Sequence, residues 1–350
     1  MTRFTWLQSR TQTLAVGALL AALAIALAIT GIHLSHLYSD LVKPCAANGD
    51  CGLATGEFSN HYNFLQGALM FLLRVAPAII GIFWGGPLIA RELETGTYRL
   101  AWTQTVSRQR WVLTKLAGVG AMAVLAAGLL TLAITWWYRA LDSLNDSMWG
   151  VFDARDVVPI GYTFFAFMAG ALLGAVLRRT VPAMAASLGL LVFARIAIQQ
   201  WVRPHLLSPL HQTVSLANTG FGFMVRNGGR PDLVVKAGGP RGSWVINSQL
   251  VDHSGHVAGA AERMAFVAQN CPNIGPPPLS KPNGPVPAPP GAAAAFHNCA
   301  DQAARTFHVL VTYQPASRYW PFQWLELGIY ILLGLAAAGL CFWWVTKRII

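Results

Sequence analysis

Two acidic residues, Glu92 and Glu94, stand in a segment (91–115, RELETGTYRLAWTQTVSRQRWVLTK) that also holds five of the chain's 25 basic residues, with a long apolar run on either side. Residues of this kind at the edge of apolar runs do the chemistry of docking, ion pairs and aromatic anchors, rather than bond making. No Ser, His and Asp constellation points to a hydrolase. His33 with His36 and His253 with His256 each lack the third ligand that a metal site needs. Asp142, Asp146, Asp153 and Asp156 lack the spacing of a Ca²⁺ loop and read as a solvated connection.

Three further groups have chemical meaning. Arg74 and Arg195 lie inside apolar runs, where a charge near the bilayer centre costs at least about 2.5–3.5 kcal/mol, so they are expected to face protein or water. Arg195, Gln199 and Arg203 recur every four residues, which places them on one helical face that either lines an exit path or lets arginine snorkel to the interface. Arg74 precedes Pro77 in an overlong segment and is expected to snorkel. Four of the five cysteines, Cys45, Cys51, Cys271 and Cys299, fall in the connections read as outside. Two disulfides are expected, with the local pairing favoured among three possible ones.

The elements that must position these residues are membrane helices. The chain is 54% hydrophobic and 11% charged, far below the roughly 25% charge of a soluble domain. Six runs have the length a span needs, about 20 residues: 14–32, 65–90, 116–137, 159–177, 181–201 and 322–345. The first exceeds the apolar core of a signal peptide and reads as an uncleaved helix. Eleven Lys and Arg flank one set of span ends, whereas Lys43, Arg139 and Arg155 are the only ones in the opposite short loops. This asymmetry places both termini in the cytosol. The net charge of +11 thus follows membrane topology and implies no nucleic-acid partner. The expected fold is an all-α polytopic membrane protein of six transmembrane helices with N- and C-termini cytosolic, plus a small mixed α/β extracellular domain between helices 5 and 6.

The expected organisation is 1–201 for helices 1–5, with a cytosolic coupling segment at 91–115, then 202–321 outside and 322–350 for helix 6 and a tail. In the outside region, strands are expected at 232–236, 243–251 and 307–313, and helices at 260–269 and 292–305. A Pro-rich loop is expected over 272–290.

The run Glu92-Leu93-Glu94-Thr95-Gly96-Thr97, followed by Leu100, Val106-Ser107-Arg108 and Lys115, resembles the acidic segment and Val-Ser-Arg turn of type-2 ABC transporter permease subunits. Six spans, cytosolic termini and a large outside loop before the last span are similar to that family too. The resemblance implies a coupling helix that docks a separate ATPase subunit through Glu92, Glu94, Gly96, Thr97, Tyr98, Leu100, Trp102, Ser107 and Arg108. Physically, Gly96 breaks the backbone, Ser107 caps the next helix, and Tyr98 and Trp102 offer anchors. No Gly-x-x-x-x-Gly-Lys-Ser/Thr run occurs in the chain. No cofactor is expected on this chain, and ATP with Mg is expected in the partner. The resemblance also implies a second permease chain, identical or not, and export; the apolar spans with few buried charges are compatible with a lipid, drug or peptide cargo. Arg-over-Lys usage and abundant Ala suggest a bacterial plasma membrane. The rival reading is a membrane-anchored sensor or scaffold whose outside region binds a ligand, with no transport.

Overall fold

Small residues set the architecture. A computed structural model describes residues 18, 21–33, 36, 39–40, 52–98, 107–142, 148–216, 220–225, 231–236, 239–271 and 291–348. The chain divides into two units, Met1–Leu206 with Tyr319–Ile350, and Leu207–Arg318.

The first unit is helical. In chain order it holds α1 (Ala21–His33), α2 (Gly52–Ile80), a π turn (Gly81–Gly85), α3 (Gly86–Thr95) and α4 (Arg108–Asp142). A 3-10 segment (Met148–Ala154) precedes α5 (Val158–Leu177) and α6 (Thr180–Ala197). A second π turn (Ile198–Val202) and a 3-10 turn (Arg203–His205) follow, and α9 (Tyr319–Lys347) ends the unit. Five stretches are long and apolar enough to cross a bilayer: Phe64–Thr95, Arg108–Tyr138, Met148–Leu177, Thr180–His205 and Ala316–Lys347. The first expected span is described only as the shorter apolar helix Ala21–His33. Helix α2 begins before the apolar window 65–90, which α3 then leaves at its far end, and α4 extends beyond both ends of 116–137, because hydropathy marks the part suited to hydrocarbon whereas backbone hydrogen bonding continues through polar flanks.

Among the five, the stretch that contains α5 is 67% buried, against 28–33% for the others. Its sequence explains this. Gly170 and Gly174 let the backbone of α5 touch that of the second span: a Cβ on Gly170 would lie 2.6 Å from the Gly81 carbonyl, and one on Gly174 would collide with the Gly86 carbonyl. On another side, Gly161 faces Leu327 and Tyr330 of α9, while Gly334 of α9 takes the ring of Phe164. Between membrane helices such close approach supplies the van der Waals contact that a hydrophobic driving force cannot. A larger set of buried side chains, including Ile89, Val112, Phe167, Ala171 and Cys341, fills the region where α3, α4, α5 and α9 meet.

The second unit is mixed α/β. Strands β1 (Leu210–Ser215), β5 (His308–Gln314) and β4 (Trp244–Val251) form an antiparallel sheet in the order β1-β5-β4, and β2 (Gly220–Val225) pairs with β3 (Pro231–Lys236). Helices α7 (Ala260–Asn270) and α8 (Ala292–Thr306) pack on a core that includes Leu250, Phe266, Val267 and Val309. The Cys271–Cys299 disulfide ties the end of α7 to α8, with Cα atoms 5.3 Å apart. Arg263 of α7 holds the fully buried Asp232 of β3 through two bonds of 3.0 Å, which fixes the β2-β3 hairpin to the helix. The expected strands at 232–236, 243–251 and 307–313 and both expected helices are present; β1 and β2 are additional. Cys45, Cys51 and the Pro-rich stretch 272–290 lie outside the described residues.

Candidate functional site

At one end of the first unit, α3 stops at Gly96, whose φ of 72° is the left-handed conformation that glycine adopts without a Cβ clash. The last turn of α3 is tied in two directions. Glu92 pairs with Lys115 of α4, a lysine that is 7% exposed and whose ammonium lies 4.7 Å from the Trp111 ring. Glu94 reaches the start of α6, where its carboxylate accepts the Thr180 backbone N–H at 3.0 Å and the Thr180 hydroxyl at 2.6 Å. A carboxylate there satisfies an orphan donor and sits on the positive end of the helix dipole. The α5–α6 connection makes this reach short: Arg178 turns left-handed with φ 55°, and its N–H caps the Gly174 carbonyl. Ser107 accepts the Arg110 N–H at 3.3 Å and so caps α4. Thr95 and Thr97 hydroxyls lie 3.1 Å apart beside Gly96, and Tyr98 packs against the buried cluster of Ile89, Trp111 and Val112. Leu100 and Trp102 lie outside the described residues; Arg108 opens α4 at the surface.

The opposite end carries a polar network. Glu326 of α9 is 1% exposed and accepts three hydrogen bonds, from Arg203 Nε at 2.7 Å, Arg203 Nη2 at 2.8 Å and the Tyr162 hydroxyl at 2.7 Å. The Arg203 guanidinium also lies 4.5 Å from the Phe152 ring. Next to it, Asp153 of the 3-10 segment takes two arginines: Arg74 through Nε and Nη2, both at 3.1 Å, and Arg195 through Nη2 at 3.2 Å. Arg195 is held further by the Arg74 carbonyl at 2.7 Å and by the Tyr162 ring 4.6 Å away. Asp156, in the left-handed region with φ 61°, accepts from Arg155 and from the Tyr319 hydroxyl. Gln323 accepts the backbone N–H groups of Val157 and Val158 and donates to the Phe152 carbonyl. A buried charge tolerates hydrocarbon depth only with partners of this kind.

Several expectations change here. Asp153 and Asp156 belong to this network and not to a solvated loop, because the aromatic 3-10 segment folds onto α9: the Trp149 ring lies 5.5 Å from that of Tyr319 and 5.3 Å from that of Phe322. Arg74, expected to reach the interface alone, has an ion-pair partner in Asp153. The face expected from Arg195, Gln199 and Arg203 is split, since the π turn adds a residue to the helical repeat. Arg203 is buried and Gln199 is exposed. Glu326 went unread in the sequence. An acidic residue in an apolar run is itself a signal, and two intramembrane arginines call for one.

Between α1 and α4 runs an open groove of about 780 Å³, lined among the described residues mainly by Ala and Leu, with Thr135 and Trp136. Among the described residues no group of three or more His, Cys, Asp or Glu converges to hold a metal ion.

Apolar helices with paired internal charges and a clamped, Gly-interrupted end define a multi-pass membrane protein. The chain belongs to the ABC-2 membrane transporter related family, whose model matches residues 17–203, and it is thereby a transporter membrane subunit. No curated protein and no solved structure matches it.

Proposed function

We propose that this chain is the permease of an ABC exporter, moving a hydrophobic or amphipathic substrate (lipid, drug or peptide) outward. ATP hydrolysis with Mg takes place in a separate ATPase subunit docked on 92–108. In this reading six helices span a bacterial plasma membrane with both termini cytosolic, the second unit is extracellular, and a second permease chain completes the pathway.

One observation carries the proposal. The connection between Gly96 and Ser107 leaves a helix whose last turn is tied to α4 by Glu92–Lys115 and to α6 by Glu94–Thr180. A push on that connection reaches three helices together. Arg74, Arg195 and Gln199 then belong to the outer end of the pathway, and the apolar groove between α1 and α4 supports an apolar or amphipathic cargo.

The test is to isolate the C-terminally tagged chain from its native membrane and identify what accompanies it. A stoichiometric ATPase is expected, lost in the Tyr98→Ala/Trp102→Ala double variant and retained in Glu94→Gln, which instead lowers transport per ATP hydrolysed. Recovery of the chain without an ATPase, under conditions that preserve comparable complexes, would refute the proposal and favour the sensor or scaffold.

A further inference from the structure

The Asp153 node is not charge-balanced. Two guanidiniums, Arg74 and Arg195, share one carboxylate within 3.2 Å, so among the described residues the node carries a surplus positive charge. The other nearby arginines do not alter this count, since Arg155 is matched by Asp156 and Arg203 by Glu326. The surplus is also accessible. The Arg74 side chain is 44% exposed, against 15% for Asp153 and 19% for Arg195. Its Nη1 donates to no partner among the described residues.

Position gives the surplus a meaning. Arg74 lies 21 residues before Thr95 along the helical path of α2, the π turn and α3, or about 31 Å at 1.5 Å per residue. That length matches the roughly 30 Å hydrocarbon thickness of a bilayer. With the Glu92 end at one membrane face, Arg74 stands at the headgroup level of the other. Guanidinium is the side chain best shaped to grip a phosphate through paired N–H groups. Arg195 is already ordered by the Tyr162 ring and the Arg74 carbonyl, so little freedom is lost on binding.

We infer that Arg74 and Arg195, spaced by Asp153, bind the phosphate of an anionic lipid in the outer leaflet. The inference deepens the proposed function, resting on its assignment of the Asp153 end to the outer face, and it needs no ATPase.

The test uses the purified full chain in neutral detergent. It is titrated by native mass spectrometry with short-chain phosphatidylglycerol, short-chain phosphatidylcholine and inorganic phosphate. Phosphatidylglycerol is expected to bind at least about tenfold more tightly than either of the others, the scale of one charge-assisted contact. Arg74→Gln should remove that preference. Asp153→Asn should tighten binding, because it deletes the competing anion. A wild-type affinity that falls with added salt provides a readout that needs no variant. Equal binding of the two lipids, salt-independent binding, or Asp153→Asn weakening as Arg74→Gln does would overturn the inference. Inorganic phosphate binding as tightly as phosphatidylglycerol would overturn the lipid assignment. Because the readout is binding to the permease alone, its failure leaves the ATPase reading to be judged by co-purification.

Discussion

Replacing Arg203 by Met leaves the Glu326 carboxylate, 1% exposed, with the Tyr162 hydroxyl as its single remaining donor of three. Removing one member of a buried ion pair costs about 3–5 kcal/mol, whereas replacing both by apolar residues of similar volume is near neutral. Arg203→Met and Glu326→Leu should therefore each destabilise the first unit by about 3–5 kcal/mol. At roughly 2–4 °C per kcal/mol this is a fall in melting temperature of about 6–20 °C. The Arg203→Met/Glu326→Leu double variant should recover most of it. Tyr162→Phe, which removes one hydrogen bond to a charged group, should cost about 1.5–3 kcal/mol. The assay is thermal unfolding of the four variants in detergent, read through the strongly negative coupling of the cycle. Additive single effects, or single variants within about 1 kcal/mol of the parent, would refute the reasoning that charge pairing and not packing holds the 3-10 turn after α6 to α9.

Three other outcomes are expected. Gly174→Leu drives a side chain into the Gly86 carbonyl and should cost at least about 1–3 kcal/mol by overpacking, seen as loss of a monodisperse elution peak, while Gly189→Leu, with open space around it, should not. Breaking Cys271–Cys299, 28 residues apart in sequence, should cost the second unit about 3–4 kcal/mol on the chain-entropy estimate, measured as the change in its denaturant midpoint between the parent and Cys271→Ala/Cys299→Ala. In the turn after β4, hydrogen bonds from the Ser254 hydroxyl and then the His256 N–H hold Asp252 below its ordinary pKa. A depressed carboxyl stabilises the fold at pH above its unfolded value, and that contribution is lost as pH falls through the folded one. Carbon NMR should thus give Asp252 a midpoint below the usual value of about 3.9, restored toward it in Ser254→Ala.

What could be read from the sequence was local. Apolar runs located the helices, Ser107 announced the cap of α4, and Gly96 the left-handed stop of α3, because each depends on residues within one or two turns. Strands β3, β4 and β5 carried β-branched and aromatic residues between turns. Strand β1 (LHQTVS) escaped notice because five of its six residues are exposed, which leaves no alternation to detect. In β2 (GFGFMV), two glycines dilute the strand signal. The charge network was out of reach for a different reason. Asp153 pairs with residues 79 positions before and 42 after it, and Glu326 with one 123 positions away. Each π turn shifts the helical phase, so periodicity placed Gln199 beside Arg203 where the backbone separates them.

That long separation has a consequence for synthesis. Arg195 leaves the ribosome after Arg74 and Asp153, its neighbours in the node, already exist, but Arg203 precedes Glu326 by 123 residues. At about 5–20 residues per second, this is roughly 6–25 s of translation. Throughout that interval the nascent bundle carries a guanidinium without its carboxylate. Helix α9 therefore supplies the carboxylate that neutralises Arg203, and a chain that stops before Glu326 exposes to quality control an unpaired charge that the finished protein conceals.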